Sequence, residues 1–228
     1  MIDVRNLSKA FDSLIVLDNV SFTVNDANLV VVLGPSGTGK SVLLKSMLGV
    51  LPVDRGEVLF DGRSIQNASA QDTYEIRKQV GFVFQSTALF DSLSVADNVA
   101  LPLQEHTTFS SRAIRDRVCD LLEDVGMAGK ANLYPQSLSG GMKRLVAVAR
   151  ALALDPRYLF YDEPTTGLDP VMTDKVVKLI KTLKDKYTNS GIVVTHDLST
   201  AKAVGDQIYM LKKGRISKLT KIEKELYD

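Results

Sequence analysis

The sequence has almost no cysteine, almost no net charge and no long apolar run, and each lack narrows what it can be. A single cysteine, Cys119, among 228 residues excludes an internal disulfide and fits a reducing compartment. Set between Val118 and Leu121 in a helical pattern, it reads as a packing residue rather than a reactive thiol. The 28 basic and 27 acidic residues leave a net charge of +1, which gives no electrostatic argument for nucleic acid as a partner. No run approaches the ~18 apolar residues needed to cross a bilayer, and Met1–Arg5 opens no signal-peptide core. The expectation is a cytosolic chain that reaches a membrane only through a partner. His106 has no metal ligand or nucleophile at useful spacing and reads as a solvated surface residue.

What the sequence does contain is organised around residues 34–41, Gly34-Pro35-Ser36-Gly37-Thr38-Gly39-Lys40-Ser41. They fit the G-x-x-x-x-G-K-[ST] phosphate loop without a mismatch. Leu29–Leu33 before them reads as a buried parallel strand, and Ser41–Leu48 after them carries apolar residues at helical spacing. Strand, glycine loop and helix together aim backbone N–H groups and a helix N-terminus at phosphate oxygens. Gly34, Gly37 and Gly39 let the main chain approach closely, Lys40 reaches the β- and γ-phosphates, and the Ser41 hydroxyl is a Mg²⁺ ligand. A nucleoside triphosphate is the expected ligand.

Strands are expected at Ile2–Leu7 and Leu17–Val24, separated by a polar turn over Lys9–Ser13. Phe11 in that turn reads from composition as a residue closing it on the core, with an adenine-stacking ring as the other reading. Further strands are expected at Glu57–Gly62 and Gly81–Phe84, the latter delivering Gln85 at its carboxyl end, where ligands of parallel sheets collect. Residues 86–137 change to helical segments. Ser94–Asp97 opens one through Leu101, and a second starts at Ser110 and stops at Gly126. Leu138-Ser139-Gly140-Gly141-Met142 opens a long helix, Lys143–Leu154, and is either a second anion site or an N-cap and a turn. Tyr158–Glu163 is an apolar strand ending in two carboxylates, which is costly without a cation or a proton-transfer role. Asp162 is then the Mg²⁺-side carboxylate and Glu163 the group that deprotonates an attacking water. Helix Val171–Leu183, strand Gly191–Thr195 ending at His196 (a candidate γ-phosphate contact), strands near Gln207–Leu211 and Arg215–Ser217, and a helical tail at Lys221–Asp228 complete the chain.

In this order the phosphate loop, Gln85, Leu138-Ser139-Gly140-Gly141, Asp162-Glu163, Leu168-Asp169 and His196 resemble an ABC-type ATPase over essentially the whole chain. The resemblance implies an α/β fold: a P-loop NTPase (RecA-like) core with an N-terminal antiparallel β subdomain and an inserted α-helical subdomain. The chain 1–228 would be one such domain, with the core at about 1–85 and 155–228 and the helical part at about 86–154. Phe11 then falls where the family stacks adenine, usually with Tyr, and Gln85 where the family joins the Mg²⁺ site to the helical subdomain. The family also implies ATP and Mg²⁺ as cofactors and a head-to-tail dimer. Each ATP would lie between residues 34–41 of one copy and Ser139–Met142 of the other, with Asp169 bridging and His196 holding the γ-phosphate.

Phe84–Val95, Asn98–Leu103 and Glu105–Thr107 are similar to the ATPases of the Mla/Mce lipid-transport group, as is Met142 where the commoner signature has Gln. That similarity implies phospholipid transport between membranes, with amino-acid or lipoprotein transport as the alternative. It also implies integral-membrane permease subunits docking near Gln85–Val99, an Mce-domain lipid-binding protein, a small cytosolic regulator, and a place on the cytoplasmic side of a bacterial inner membrane. Soluble ABC ATPases of DNA repair or the ribosome are disfavoured, since neither a long coiled coil nor a second ATPase unit is seen.

Overall fold

The computed structural model describes residues 1–187 and 189–220, so the helix expected over Lys221–Asp228 lies outside the described residues. Two long strands open the chain, β1 (Ile2–Phe11) and β2 (Leu14–Val24). In both, the buried residues follow period two with one skip: Ile2, Val4, then Leu7; Leu17, then Val20, Phe22 and Val24. Each skip contains an asparagine in the left-handed region, Asn6 at φ 49° and Asn19 at φ 54°, where the pairing shifts register. Asn visits that region more readily than other non-glycine residues, and each bulge resets which face the following side chains meet. The turn is shorter than the sequence suggests, because Lys9 pairs with Leu17 and Ala10 with Ile15. Asp54 holds that end of β1, accepting from the Ala10 N–H at 2.6 Å.

The remaining elements are β3 (Leu29–Leu33), α1 (Lys40–Met47), β4 (Arg55–Phe60), β5 (Arg63–Ser64), α2 (Ala70–Lys78), β6 (Val80–Val83), α3 (Val95–His106) and α4 (Ser111–Asp124). They are followed by α5 (Gly140–Ala151), β7 (Tyr158–Asp162), α6 (Pro170–Tyr187), β8 (Ser190–Thr195), α7 (Leu198–Val204), β9 (Gln207–Lys212) and β10 (Arg215–Lys218). Among the described residues the strands form an antiparallel sheet, β2-β1-β4-β5, and a six-stranded sheet, β10-β9-β3-β8-β7-β6. In the second sheet β9, β3, β8, β7 and β6 run parallel, with β10 antiparallel at the edge.

Every residue of β3, β7 and β8 is buried, which follows from covering the parallel sheet on both faces. Val30, Val32, Phe160, Ile192 and Val194 face one layer, together with Leu43, Leu44 and Met47 of α1 and the inward residues of the antiparallel sheet. Helix α1 is thus held between the two sheets. Val31, Leu33, Leu159, Tyr161 and Val193 face the other layer, with α3, α4, α5, α6 and α7. The helical segment from α3 to α5 shares its core with that face of the parallel sheet.

Two helical expectations are corrected. Cys119 is exposed, because α4 buries Val118, Leu121 and Leu122 and the neighbouring position turns about 100° away. Helix α3 continues past Pro102 to His106. The proline removes one backbone donor, but Leu103 beyond it is 1% exposed in the core, and packing carries the last turn. His106 is exposed, and its Nδ1 lies 2.9 Å from the Tyr74 hydroxyl of α2.

Gly81 in β6 is where α5 comes closest to the sheet: a Cβ there would lie 2.3 Å from the Ala151 carbonyl oxygen. Main chain cannot yield as a flexible side chain does. Gly81→Ala is therefore expected to destabilise the protein by at least ~2 kcal/mol, read as a lower denaturant midpoint, and an unchanged midpoint would contradict this packing.

Candidate functional site

Strand β3 ends at the glycine loop, and the geometry of the loop follows from its residues. A side chain at Gly34 would meet the Leu211 carbonyl oxygen at 2.6 Å. Gly39 sits at φ 98° immediately before α1, which has no side-chain cap and no acidic residue in its first turn. The first N–H groups of α1 are therefore free to meet an anion. Thr38 Oγ1 donates to the Pro35 carbonyl at 2.9 Å, tightening the loop. Lys40 folds back over it, donating to the carbonyls of Gly34 at 2.7 Å and Pro35 at 2.9 Å.

Strand β7 brings the two carboxylates to this loop. Ser41 Oγ donates to Asp162 Oδ1 at 2.8 Å. Burial pushes the Asp162 carboxyl up and the neighbouring Glu163 charge adds to this, only partly offset by the Ser41 bond. No group of three His, Cys, Asp or Glu side chains gathers as metal ligands among the described residues. A buried carboxylate beside a hydroxyl, with the Gln85 amide lining the same cleft, is instead the all-oxygen donor set that suits Mg²⁺ completed by phosphate oxygens.

Glu163 is held differently. Its backbone is left-handed at φ 50°, a strain of roughly 1–2 kcal/mol for a residue with a Cβ. Its Oε1 lies 3.1 Å from Lys40 Nζ. Its Oε2 accepts from Thr166 Oγ1 at 2.9 Å and lies 2.8 Å from His196 Nδ1. Burial alone would raise its carboxyl, but bonds from Lys40, His196 and Thr166 outweigh burial and hold it below the usual range. It is an ionised carboxylate placed to accept a proton. Following Asp162 in the chain and hydrogen-bonded to His196, Glu163 also links the end of β7 to the residue that follows β8.

One open cleft of about 360 Å³ is lined by Phe11, Val16, Ser36, Gly37, Gly39, Lys40, Ser41, Gln85 and Glu163, among others. Phe11 is 43% exposed, so the composition-based reading of it as a core residue is wrong. It ends β1 with its ring at the cleft, because the strand runs on past the expected turn. Ser139, Gly140, Gly141 and Asp169 do not line this cleft. Ser139 Oγ caps α5 by accepting from the Met142 N–H at 3.3 Å, and Asp169 Oδ1 accepts from the Met172 N–H at 3.0 Å at the start of α6. The two helix starts touch: a Cβ on Gly141 would meet Met172 Cγ at 2.3 Å.

Sequence reasoning missed Thr166, Arg144 and Arg150. Arg144 is 3% exposed and donates to the carbonyls of Phe84 at 2.6 Å and Gln85 at 2.8 Å. Arg150 donates to those of Ala88 at 2.7 Å and Thr87 at 2.8 Å. The available signal was two arginines bracketing the apolar run Leu145–Ala149. A second cleft, of about 560 Å³, opens between α2 and β6 on one side and α3 and α5 on the other, lined by Phe82, Phe84, Phe90, Leu101 and Pro102 among others.

Residues 17–166 match the family model described as ABC transporter. The chain is 41% identical over 216 residues, 95% of its own length and 82% of the relative's, to the "Intermembrane phospholipid transport system ATP-binding protein MlaF" of Haemophilus influenzae. It is 39% identical over the same share of its length to the protein of that name from Escherichia coli K12. It is also 42% identical to the "Probable ribonucleotide transport ATP-binding protein mkl" of Mycobacterium leprae, covering 92% of this chain but 60% of that one. Among solved structures it superposes on a dimeric bacterial ABC transporter cassette with a TM-score of 0.88 at 32% identity, covering 97% of this chain and 100% of the other. A post-hydrolysis dimer of the same cassette, bound to ADP and phosphate, gives a TM-score of 0.86.

Proposed function

The chain belongs to the ABC transporter family as one of its ATPases, and on that footing we propose that it hydrolyses ATP to power phospholipid movement between membranes. The observation that carries the chemistry is the convergence of Lys40, Ser41, Asp162, Glu163 and His196 at the ends of β3, β7 and β8. The observation that favours the lipid is the 41% identity, over 95% of the chain, to a protein named for intermembrane phospholipid transport.

In this reading Phe11 stacks on adenine, and the loop and the uncapped start of α1 receive the phosphates. Lys40 exchanges the Gly34 and Pro35 carbonyls and Glu163 for phosphate oxygens. That exchange frees the Glu163 carboxylate to take a proton from water attacking the γ-phosphate, with Thr166 still holding its other oxygen. Ser41, Asp162 and Gln85 would hold Mg²⁺, which when bound neutralises charge on the phosphates. His196, whose side chain is 45% exposed, contacts the γ-phosphate.

Ser139, Gly140, Gly141 and Asp169 lie outside the cleft on their own copy, which fits their meeting the nucleotide of a second copy in a dimer. The apolar cleft between α2 and α3, next to residues 85–99, suits a permease helix. No helix among the described residues is long and apolar enough to cross a membrane, so association with the cytoplasmic face of an inner membrane would run through that permease. An Mce-domain lipid-binding protein and a small cytosolic regulator complete the proposed assembly.

The test is to purify the tagged chain gently from its native membranes and identify co-purifying proteins and lipids by mass spectrometry. A polytopic permease, an Mce-domain protein and enriched phospholipid are expected. A permease with a soluble solute-binding protein and no enriched lipid would overturn the cargo. Recovery with the permease of a ribonucleotide other than ATP or ADP, and of no enriched lipid, would favour the role named for the mycobacterial relative.

A further inference from the structure

The segment that carries Gln85 is not held as loops usually are. Thr87 at φ 63° and Ala88 at φ 47° both lie in the left-handed region, which residues with a Cβ avoid. Two consecutive residues there persist only when the surroundings over-determine them. The surroundings here are two guanidinium groups from one helix. Arg144 takes the carbonyls of Phe84 and Gln85, and Arg150 those of Thr87 and Ala88. Four of the five carbonyls from 84 to 88 are thereby bonded to α5. The same helix is pressed on the preceding strand at its other end, where Ala151 meets Gly81. Arg144 is buried with its Nε unpartnered, and desolvation lowers its pKa while the Asp162 charge partly sustains it. Such a burial is costly for an ion that bonds only neutral carbonyls, and a purely structural loop anchor would be served as well by an uncharged donor.

We infer that Arg144 and Arg150 are positioning residues that fasten the Gln85 loop to α5, so that Gln85 approaches or leaves the nucleotide only as α5 moves. The inference rests on the proposed place of Gln85 beside Ser41 and Asp162. Its content is that the helix whose first residues are Ser139–Gly141 also sets the position of Gln85. Lysine does not reproduce this hold: an ammonium can bond two adjacent carbonyls, as Lys40 does, but as a point charge on a flexible stem it lacks the planar fork that fixes their orientation.

The test uses the full-length chain and the variants Arg144→Lys, Arg150→Lys, Gln85→Ala and Arg144→Lys/Gln85→Ala. Steady-state ATP hydrolysis gives kcat and KM. Mn²⁺ binding to the ATP-loaded protein, followed by electron paramagnetic resonance in a Glu163→Gln background, gives a readout independent of turnover. Arg144→Lys is expected to lower kcat about tenfold with KM for ATP within about twofold, and to weaken Mn²⁺ binding as Gln85→Ala does. The double variant is expected to fall no further than Gln85→Ala alone, because the arginine acts only through Gln85. Arg150→Lys should shift both readouts in the same direction by less. Additive losses in the double variant, or unchanged Mn²⁺ affinity in Arg144→Lys, would overturn the inference. If Gln85→Ala itself leaves kcat and Mn²⁺ binding intact, the place given to Gln85 fails and the inference fails with it. Should Arg144→Lys unfold, the half-buried Arg150→Lys, paired with Gln85→Ala, decides by the same criterion.

Discussion

Glu163→Gln is expected to lower steady ATP hydrolysis by about 10³-fold while ATP still binds, a loss within the range for removing a general base. The substitution keeps the size of the side chain and one oxygen, enough to accept from Thr166 or from Lys40 though not from both as the carboxylate does, and removes the charge that accepts a proton. In the glycine loop it is Lys40 that pairs with that charge, and in the proposed reading Lys40 gives up Glu163 for phosphate oxygens when ATP binds, so equilibrium binding of ATP should change by less than about tenfold. With hydrolysis stopped, ATP should also hold two copies together, read as a dimer in gel filtration that the unsubstituted chain does not keep. Hydrolysis within tenfold of normal would remove Glu163 from the role of base. His196, 2.8 Å from the same carboxylate, would then be the next group to test.

Lys40→Ala should have the second large effect, and it acts twice. ATP binding should weaken at least ~100-fold, because the side chain supplies the cation for the terminal phosphates. Stability without nucleotide should fall too. The Lys40 and Glu163 side chains are 5% and 8% exposed, and removing one partner of a buried pair strands the other. His196 and Thr166 still bond Glu163 and the cleft admits water, so about 2 kcal/mol is expected, below the 3–5 kcal/mol of sealed pairs. Adding Glu163→Gln should restore most of the lost denaturant midpoint without restoring ATP binding. A double variant as unstable as Lys40→Ala would mean that the ion pair contributes nothing to the fold.

The parts of this molecule that were legible in its sequence are those dictated locally. The uninterrupted β-branched run at Leu29–Leu33 can only be a strand covered on both faces, and the glycines that follow can only be a loop. Tyr158–Asp162 declared itself by ending four apolar or aromatic residues in two acids. Helix starts at Ser94, Ser110 and Ser139 were readable because each serine caps its own helix. What escaped were features decided by distant partners. Helix α2 is the exception, since its start at Ala70 is set locally by the Ser69 cap within a polar stretch. The short helix α7 is too brief to show periodicity and is started by Asp197. The extension of β1 to Phe11 depends on Asp54, more than forty residues away. The fork of Arg144 on the Gln85 loop has only a weak local signature, two arginines bracketing the apolar run Leu145–Ala149, since a cation in a helix normally reads as a solvated face. Cys119 shows the converse error: its apolar neighbours suggested burial, but helical phase decided.

The position of β3 in the middle of its sheet has a consequence for how the protein comes into being. Both strands that pair with it, β8 and β9, lie near the far end of the chain. On a ribosome adding ~5–20 residues per second, about 150 residues separate the completion of β3 from the arrival of β8, a wait of roughly 8 to 30 seconds. Throughout it, the most apolar strand has both edges unpaired and α1 has the parallel sheet missing from one of its two sides, the condition in which strands seek foreign partners. The β1–β2 hairpin and β4, by contrast, find one another within the first sixty residues. The nascent chain therefore assembles its outer sheet early and its nucleotide site last. A holdase that protects the emerging strand is more valuable to it than any later aid to folding.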